Sequence, residues 1–177
     1  DTTFRQNVIK KDYTYCYVIE ARDTINNLSS TSNTVCIQAE VPRQSRQLYI
    51  SQVTNDFVRE ALDVNIYIDG EADVRSFQIQ RAPDYFGPYK TIATLGKPTA
   101  PPYIIRFQDF GVEPGVTDYY YRVTATDSCG GYDTISNISR NILLDVQAGD
   151  DLTNRLSWNR YYGWGGPVDR YEIYRRK

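Results

Sequence analysis

The run Tyr119-Tyr120-Tyr121-Arg122-Val123-Thr124-Ala125-Thr126-Asp127 decides the fold. Its odd positions through Ala125 are aromatic or apolar, while the even ones carry Tyr, Arg and Thr. Alternation with a period of two reads as a strand with one face in a core. The run has an earlier copy, Tyr15-Cys16-Tyr17-Val18-Ile19-Glu20-Ala21-Arg22-Asp23, at an offset of 104 (119 minus 15). Ser32-Asn33 recurs as Ser136-Asn137 at the same offset. A second pair, Val74-Arg75-Ser76-Phe77-Gln78-Ile79-Gln80-Arg81 and Val168-Asp169-Arg170-Tyr171-Glu172-Ile173-Tyr174-Arg175, is offset by 94 (168 minus 74). A period of roughly 100 residues is the size of one β-sandwich. The phase of the repeats predicts the end of one module, a whole second module and the start of a third, as in a segment of a longer protein.

Working outward, Val64, Ile66 and Ile68 alternate, as do Phe77 and Ile79, and Leu156 and Trp158. Turn chemistry separates these runs at Asp69-Gly70, Phe86-Gly87-Pro88, Pro101-Pro102, Glu113-Pro114-Gly115, Cys129-Gly130-Gly131 and Gly165-Gly166-Pro167. Short strands at regular spacing predict an all-β antiparallel sandwich. The 16 tyrosines suit a pleated, half-buried surface.

Composition narrows function. Lys plus Arg is 20 and Asp plus Glu is 22, so no basic excess points to nucleic acid. Mean hydropathy is -0.54, and no apolar run approaches the roughly 20 residues of a spanning helix, so no membrane insertion is expected here. There is no His, which excludes a His-ligated metal and any Ser-His or Cys-His nucleophile in this chain. No cofactor is expected.

The Tyr-x-Tyr-x-Val-x-Ala run behind Glu113-Pro114-Gly115 resembles strand F of a fibronectin type III-like sandwich. Trp158 resembles the core tryptophan of strand B, Tyr171-Glu172-Ile173-Tyr174-Arg175 strand C, and Ser136-Asn137 the start of strand G. The resemblance implies strands E, F and G of module one over 1–40, a full module two over 41–146, and strands A, B and C of module three over 147–177. Tyr15, Tyr119 and Trp158 then read as core. Thr126-Asp127-Ser128-Cys129-Gly130, Ser32-Asn33-Thr34-Val35-Cys36, Leu156-Ser157-Trp158-Asn159 and Tyr162-Gly163-Trp164 are similar to modules of large Bacteroidetes surface proteins. Those are gliding-motility-associated substrates of type IX secretion.

On that template Cys16 and Cys36 face outward on neighbouring strands F and G and read as a cross-strand disulfide, the alternative being two free thiols. Arg122 and Arg140 are read at the matching positions of the second copy. Cys129 is left over, free or paired outside the chain. Thr24 and Thr134, in Asp23-Thr24-Ile25 and Asp133-Thr134-Ile135, resemble the O-glycosylation sites of exported Bacteroidetes proteins and are placed in F–G hairpin loops. Asp69-Gly70-Glu71-Ala72-Asp73 and Asp150-Asp151 are acid-rich but match no calcium loop and read as solvated turns. Tyr161, Tyr162 and Trp164 either pack at the joint with module two or contact a ligand.

The junction Asn141-Ile142-Leu143-Leu144-Asp145-Val146-Gln147 reads as strand throughout, so G of module two runs almost directly into A of module three. Such a joint lacks the Gly/Ser-rich composition of a flexible linker. The resulting expectation is a non-catalytic stalk or adhesin segment, extracellular, exported by type IX secretion and used in adhesion or gliding. Its expected partners are that secretion machinery, surface ligands (glycan or protein) and neighbouring modules of its own chain. The alternative is a spacer in a secreted polysaccharide-degrading enzyme.

Overall fold

The computed structural model describes residues 2–175 and contains strands and turns, with no helix among the described residues. The chain divides into two compact units between Val41 and Pro42.

The second unit holds a complete sandwich. One sheet has three strands: β5 (Leu48–Asp56), β6 (Ala61–Ile68) and β9 (Ile104–Asp109), in the order β5-β6-β9. The other runs β11-β10-β7-β8, built from β7 (Val74–Ala82), β8 (Lys90–Gly96), β10 (Tyr120–Asp127) and β11 (Tyr132–Ile135), with β12 (Ser139–Arg140) also on β10. All pairings are antiparallel. Lettered in chain order, the sheets are A-B-E and C′-C-F-G, the fibronectin type III-like arrangement.

Alternation fills the core. Val64, Ile66 and Ile68 of β6 face Phe77 and Ile79 of β7 and Tyr121, Val123 and Ala125 of β10, all buried. In the deciding run Tyr121, Val123 and Ala125 are buried as its period requires, and Thr124 is buried with them. Tyr121 and Phe77 are the core's fully buried aromatics, whereas Tyr119 is half-buried at its margin.

The first unit contains β1 (Thr14–Tyr17), β2 (Glu20–Asp23), β3 (Leu28–Thr31) and β4 (Val35–Gln38), pairing β1 with β4 and β2 with β3. The pairing matches that of β10 with β12 and β11. In both copies one serine bridges the two strands. Ser32 Oγ accepts the Ile19 N–H at 2.9 Å, and Ser136 Oγ accepts the Val123 N–H at 2.8 Å. Both serine N–H groups return the bond to the same residue's carbonyl. The offset of 104 is therefore a repeat of hydrogen bonding as well as of wording.

Several expectations change. Residues 2–13 form no strand, so the expected strand E is not present there. Consequently the first copy has no facing sheet in its unit: Tyr15 is only half-buried and Ile19 is exposed. Tyr171–Arg175, expected as strand C, is not assigned as strand either. Residues 141–143 are irregular, and strand A of the third segment, β13 (Leu144–Ala148), begins ahead of the expected 146/147 boundary. It pairs with β14 (Asn154–Trp158), placing Leu144 opposite Trp158 and Val146 opposite Leu156. Trp158 is half-buried, its ring 5.4 Å from that of Tyr171.

Thr134 lies within β11 rather than in a loop. The Asp127 side chain accepts the Gly131 N–H at 2.8 Å, so the chain has reversed before Tyr132. Thr24 sits exposed in the β2–β3 turn, where Asp23 Oδ1 accepts the Ile25 N–H at 2.9 Å.

Candidate functional site: an aromatic seam

The loop after β14 folds back over the edge of β5. As the outer strand of its sheet, β5 would otherwise present unpaired N–H and C=O groups, a template for wrong pairing. Side chains take them up instead. Tyr161, 7% exposed, accepts the Val53 N–H on its hydroxyl at 3.2 Å and shares a hydrogen bond with Ser139 Oγ at 3.1 Å. Trp164 Nε1 donates to the Ser51 carbonyl at 2.8 Å. Asn137 accepts the Ile50 N–H at 2.7 Å and donates to the carbonyls of Ile50 at 3.0 Å and Gly163 at 2.6 Å. The Gly165 N–H donates to the Tyr49 hydroxyl at 3.1 Å.

Gly163 makes this closeness possible. Its φ of 122° lies where side chains are strained, and an added Cβ would meet the Ile138 carbonyl and Ser139 at 2.7 Å.

A second row of bonds fixes the link itself. Arg140 donates to the Arg160 carbonyl at 2.7 and 3.1 Å and pairs with Asp118 at 3.0 Å. Asn159 donates to Asp118 at 3.2 Å and to the Asn141 carbonyl at 3.0 Å, and accepts the Leu143 N–H at 2.6 Å. Buried Asn141 accepts the Tyr119 N–H at 2.8 Å. Only residues 141–143 separate β12 from β13, and they are bonded from both sides.

Sequence reading singled out Tyr161, Tyr162 and Trp164 but gave Asn141, Ser139, Arg140 and Asn159 no part in the seam. Asn137 was visible only as half of a repeated dipeptide. Asparagines that bridge strands have no periodic signature; their partners lie more than 80 residues away in the case of Ile50 and Asn55.

The seam has one open side. Tyr85, in the β7–β8 turn, meets Tyr162 edge-on at 5.3 Å, with the two hydroxyls 3.3 Å apart. Together with Trp164, Tyr49, Arg160 and the glycine-rich loop they surround a cleft of about 650 Å³.

Cys16 and Cys36 are directly opposite in the β1–β4 register and form a disulfide. In the second copy the register sets Tyr120, not Arg122, opposite Arg140, because the offset carries Cys16 onto Tyr120. Arg140 donates to the Tyr120 hydroxyl at 2.7 Å there. Cys129 is free and exposed. The acids of the 69–73 loop hold the preceding connector: Asp69 accepts the Arg46 N–H, Asp73 the Arg43 N–H, and Glu71 pairs with Arg43. Asp151 accepts from Thr153. Among the described residues no group of three His, Cys, Asp or Glu side chains is placed to hold a metal.

No protein-family profile and no curated protein matches the chain. Among solved structures it is similar to an Fn3-like protein from Clostridium thermocellum, 26% identical with a TM-score of 0.40, over 56% of this chain and 91% of that one. It is also similar to a beta-1,2-glucanase from Parabacteroides distasonis, 20% identical with a TM-score of 0.36, over 64% of this chain and 17% of that one.

Two results are expected from the seam. Tyr161→Phe leaves the Val53 N–H without a partner and should cost about 1–2 kcal/mol. Amide exchange at Val53 should accelerate while that at Val123 is unchanged; equal rates in wild type and variant would show that the hydroxyl does not close the edge. Burial also pushes the phenols of Tyr161 and Tyr121 up, and that of Tyr89 to about 12. Raised folded-state values mean that these residues stabilise fully below the unfolded tyrosine value near 10 and lose that contribution above it. Stability should therefore be flat through neutral pH and fall above about pH 10, by up to roughly 1.4 kcal/mol per pH unit for each of Tyr121 and Tyr161 and by less for the more exposed Tyr89. Melting midpoints from pH 7 to 11 check this.

Proposed function

We propose that the chain is a non-catalytic segment of a large secreted surface protein, in which β-sandwich modules form a stiff adhesive stalk. The observation carrying this reading is the seam: a three-residue link, 141–143, clamped by Arg140, Asn141 and Asn159, with Tyr161 and Trp164 closing the edge of β5. A joint bonded on both sides transmits direction from one module to the next, which suits projection from a cell. The Cys16–Cys36 disulfide supports an oxidising, extracellular setting.

The finer reading is an adhesin or gliding-motility component exported by type IX secretion. It rests on the resemblance of Ser32-Asn33-Thr34-Val35-Cys36 and Tyr162-Gly163-Trp164 to modules of such proteins. Its partners are the secretion machinery, surface ligands and adjoining modules, and Thr24 is an exposed position for an O-glycan.

Antibody raised against the chain should label intact, unpermeabilised cells of the source organism. Labelling should disappear when type IX export is disabled. Signal confined to lysed cells would overturn the surface reading, and surface signal that persists without type IX export would overturn that route alone.

A further inference from the structure

We infer that the cleft beside the seam binds an acidic saccharide, its aromatic rings stacking on the sugar and Arg160 pairing with a carboxylate. This deepens the adhesive half of the proposed function by naming the class of ligand, and rests on it to that extent.

The first observation is ring surface left open. Tyr161 is consumed in closing β5, but Tyr162 and Trp164, on either side of Gly163, remain 48% and 49% exposed. Their polar atoms are already engaged, Trp164 Nε1 with the Ser51 carbonyl and the Tyr162 hydroxyl with that of Tyr85. The rings are therefore held in fixed orientations while presenting apolar area. Fixed aromatic surface costs little entropy to use, unlike a mobile side chain. Tyr85 extends the wall, with Phe86 5.1 Å from it and 91% exposed. A pyranose ring offers a C–H face that packs on such planes and hydroxyls that leave the remaining contacts to water and backbone. Gly163, Gly165 and Gly166 carry no side chains to block the approach.

The second observation is charge. The cleft lining contains Arg160 and no acid. The Arg160 carbonyl is taken by Arg140, but its guanidinium has no partner among the described residues. The other nearby cations are engaged: Arg140 with Asp118, and Arg122 with Gln80 and the face of Tyr89. One free guanidinium in an aromatic cleft without a counter-charge complements a carboxylate, which it can grip through two parallel N–H bonds. The volume of about 650 Å³ lies within the range of small-ligand sites. A neutral sugar would use the rings and leave the arginine idle; an acidic one uses both.

The test uses the full chain carrying Trp158→Phe, so that Trp164 is the sole indole. Tetragalacturonate is titrated against Trp164 fluorescence, with neutral galactotetraose alongside. Saturable binding of the acidic probe, weakened about tenfold or more by Arg160→Gln and by Tyr162→Ala in chains of unchanged melting temperature, supports the proposal. No saturable change at millimolar tetragalacturonate, equal affinity for the neutral probe, or binding indifferent to both substitutions overturns it. Amide exchange at Val53 is read on the same sample. A closed edge without sugar binding removes the ligand and leaves the stalk, whereas an open edge removes the stiff joint whatever the sugar does.

Discussion

Asp109→Ala is expected to destabilise the complete sandwich by about 3–4 kcal/mol, out of a total of about 5–15 for such a domain. Asp109 ends β9 in one sheet and is 5% exposed. Its Oδ2 accepts from Arg81 of β7 at 2.7 Å and from the Tyr121 hydroxyl of β10 at 2.8 Å, both in the other sheet. Its Oδ1 accepts the Gly111 N–H at 3.0 Å. One carboxylate therefore fastens the two sheets together. Alanine would leave a phenol buried without an acceptor and a guanidinium, about a quarter exposed at its side chain, with no carboxylate and only the Gly111 carbonyl and the face of Tyr119. The residual exposure of Arg81 is why the estimate stays below the upper end for a fully buried pair. Thermal melting should show a drop of roughly 12 °C or more. Asp109→Asn, which keeps the shape and one acceptor oxygen, should lose less than half as much. A midpoint within a degree or two of wild type in Asp109→Ala would mean that apolar packing alone joins the sheets.

Reduction of Cys16–Cys36 is expected to unravel the first unit while leaving the sandwich of residues 42–141 folded. Among the described residues of that unit the only buried apolar side chain is Ala39, and Tyr17, Val35 and Ile37 of the paired strands are exposed. Burial therefore contributes little to holding β1 on β4. The disulfide, spanning 20 positions, contributes about 3 kcal/mol on a chain-entropy account. The second copy, where Tyr120 and Arg140 hold the same places, does without it because its strands are backed by a full core. The Cys16→Ser/Cys36→Ser chain, or reductant added to wild type, should abolish amide protection at β1 and β4 and leave Val123 and Phe77 protected. Persistent protection of β1 would place the stability of that hairpin elsewhere.

The sandwich was legible because its signal is local and repeated. Alternation in β6, β7 and β10 names one buried face per strand, and Asp-Gly and Pro-Gly pairs mark where strands end. The same periodicity misled in the first copy. Ile19 and Ile37 sit where a core face belongs, yet are exposed, since burial needs a second sheet and none faces them in that unit. Thr134 was misplaced for a similar reason: the hairpin tip depends on the Asp127 side chain reaching Gly131, a bond that no propensity encodes.

By itself the sequence determined the fold class, the module-sized repeat and the aromatic character of the loop after β14, because each follows from side-chain type at short, regular spacing. Tertiary packing set the rest: Tyr161 closes the β5 edge while Tyr162 and Trp164 keep open faces, the Arg160 guanidinium has no partner among the described residues, and asparagines clamp the link. Those outcomes depend on which backbone groups are left unpaired when distant strands meet, and only the folded chain brings those strands together.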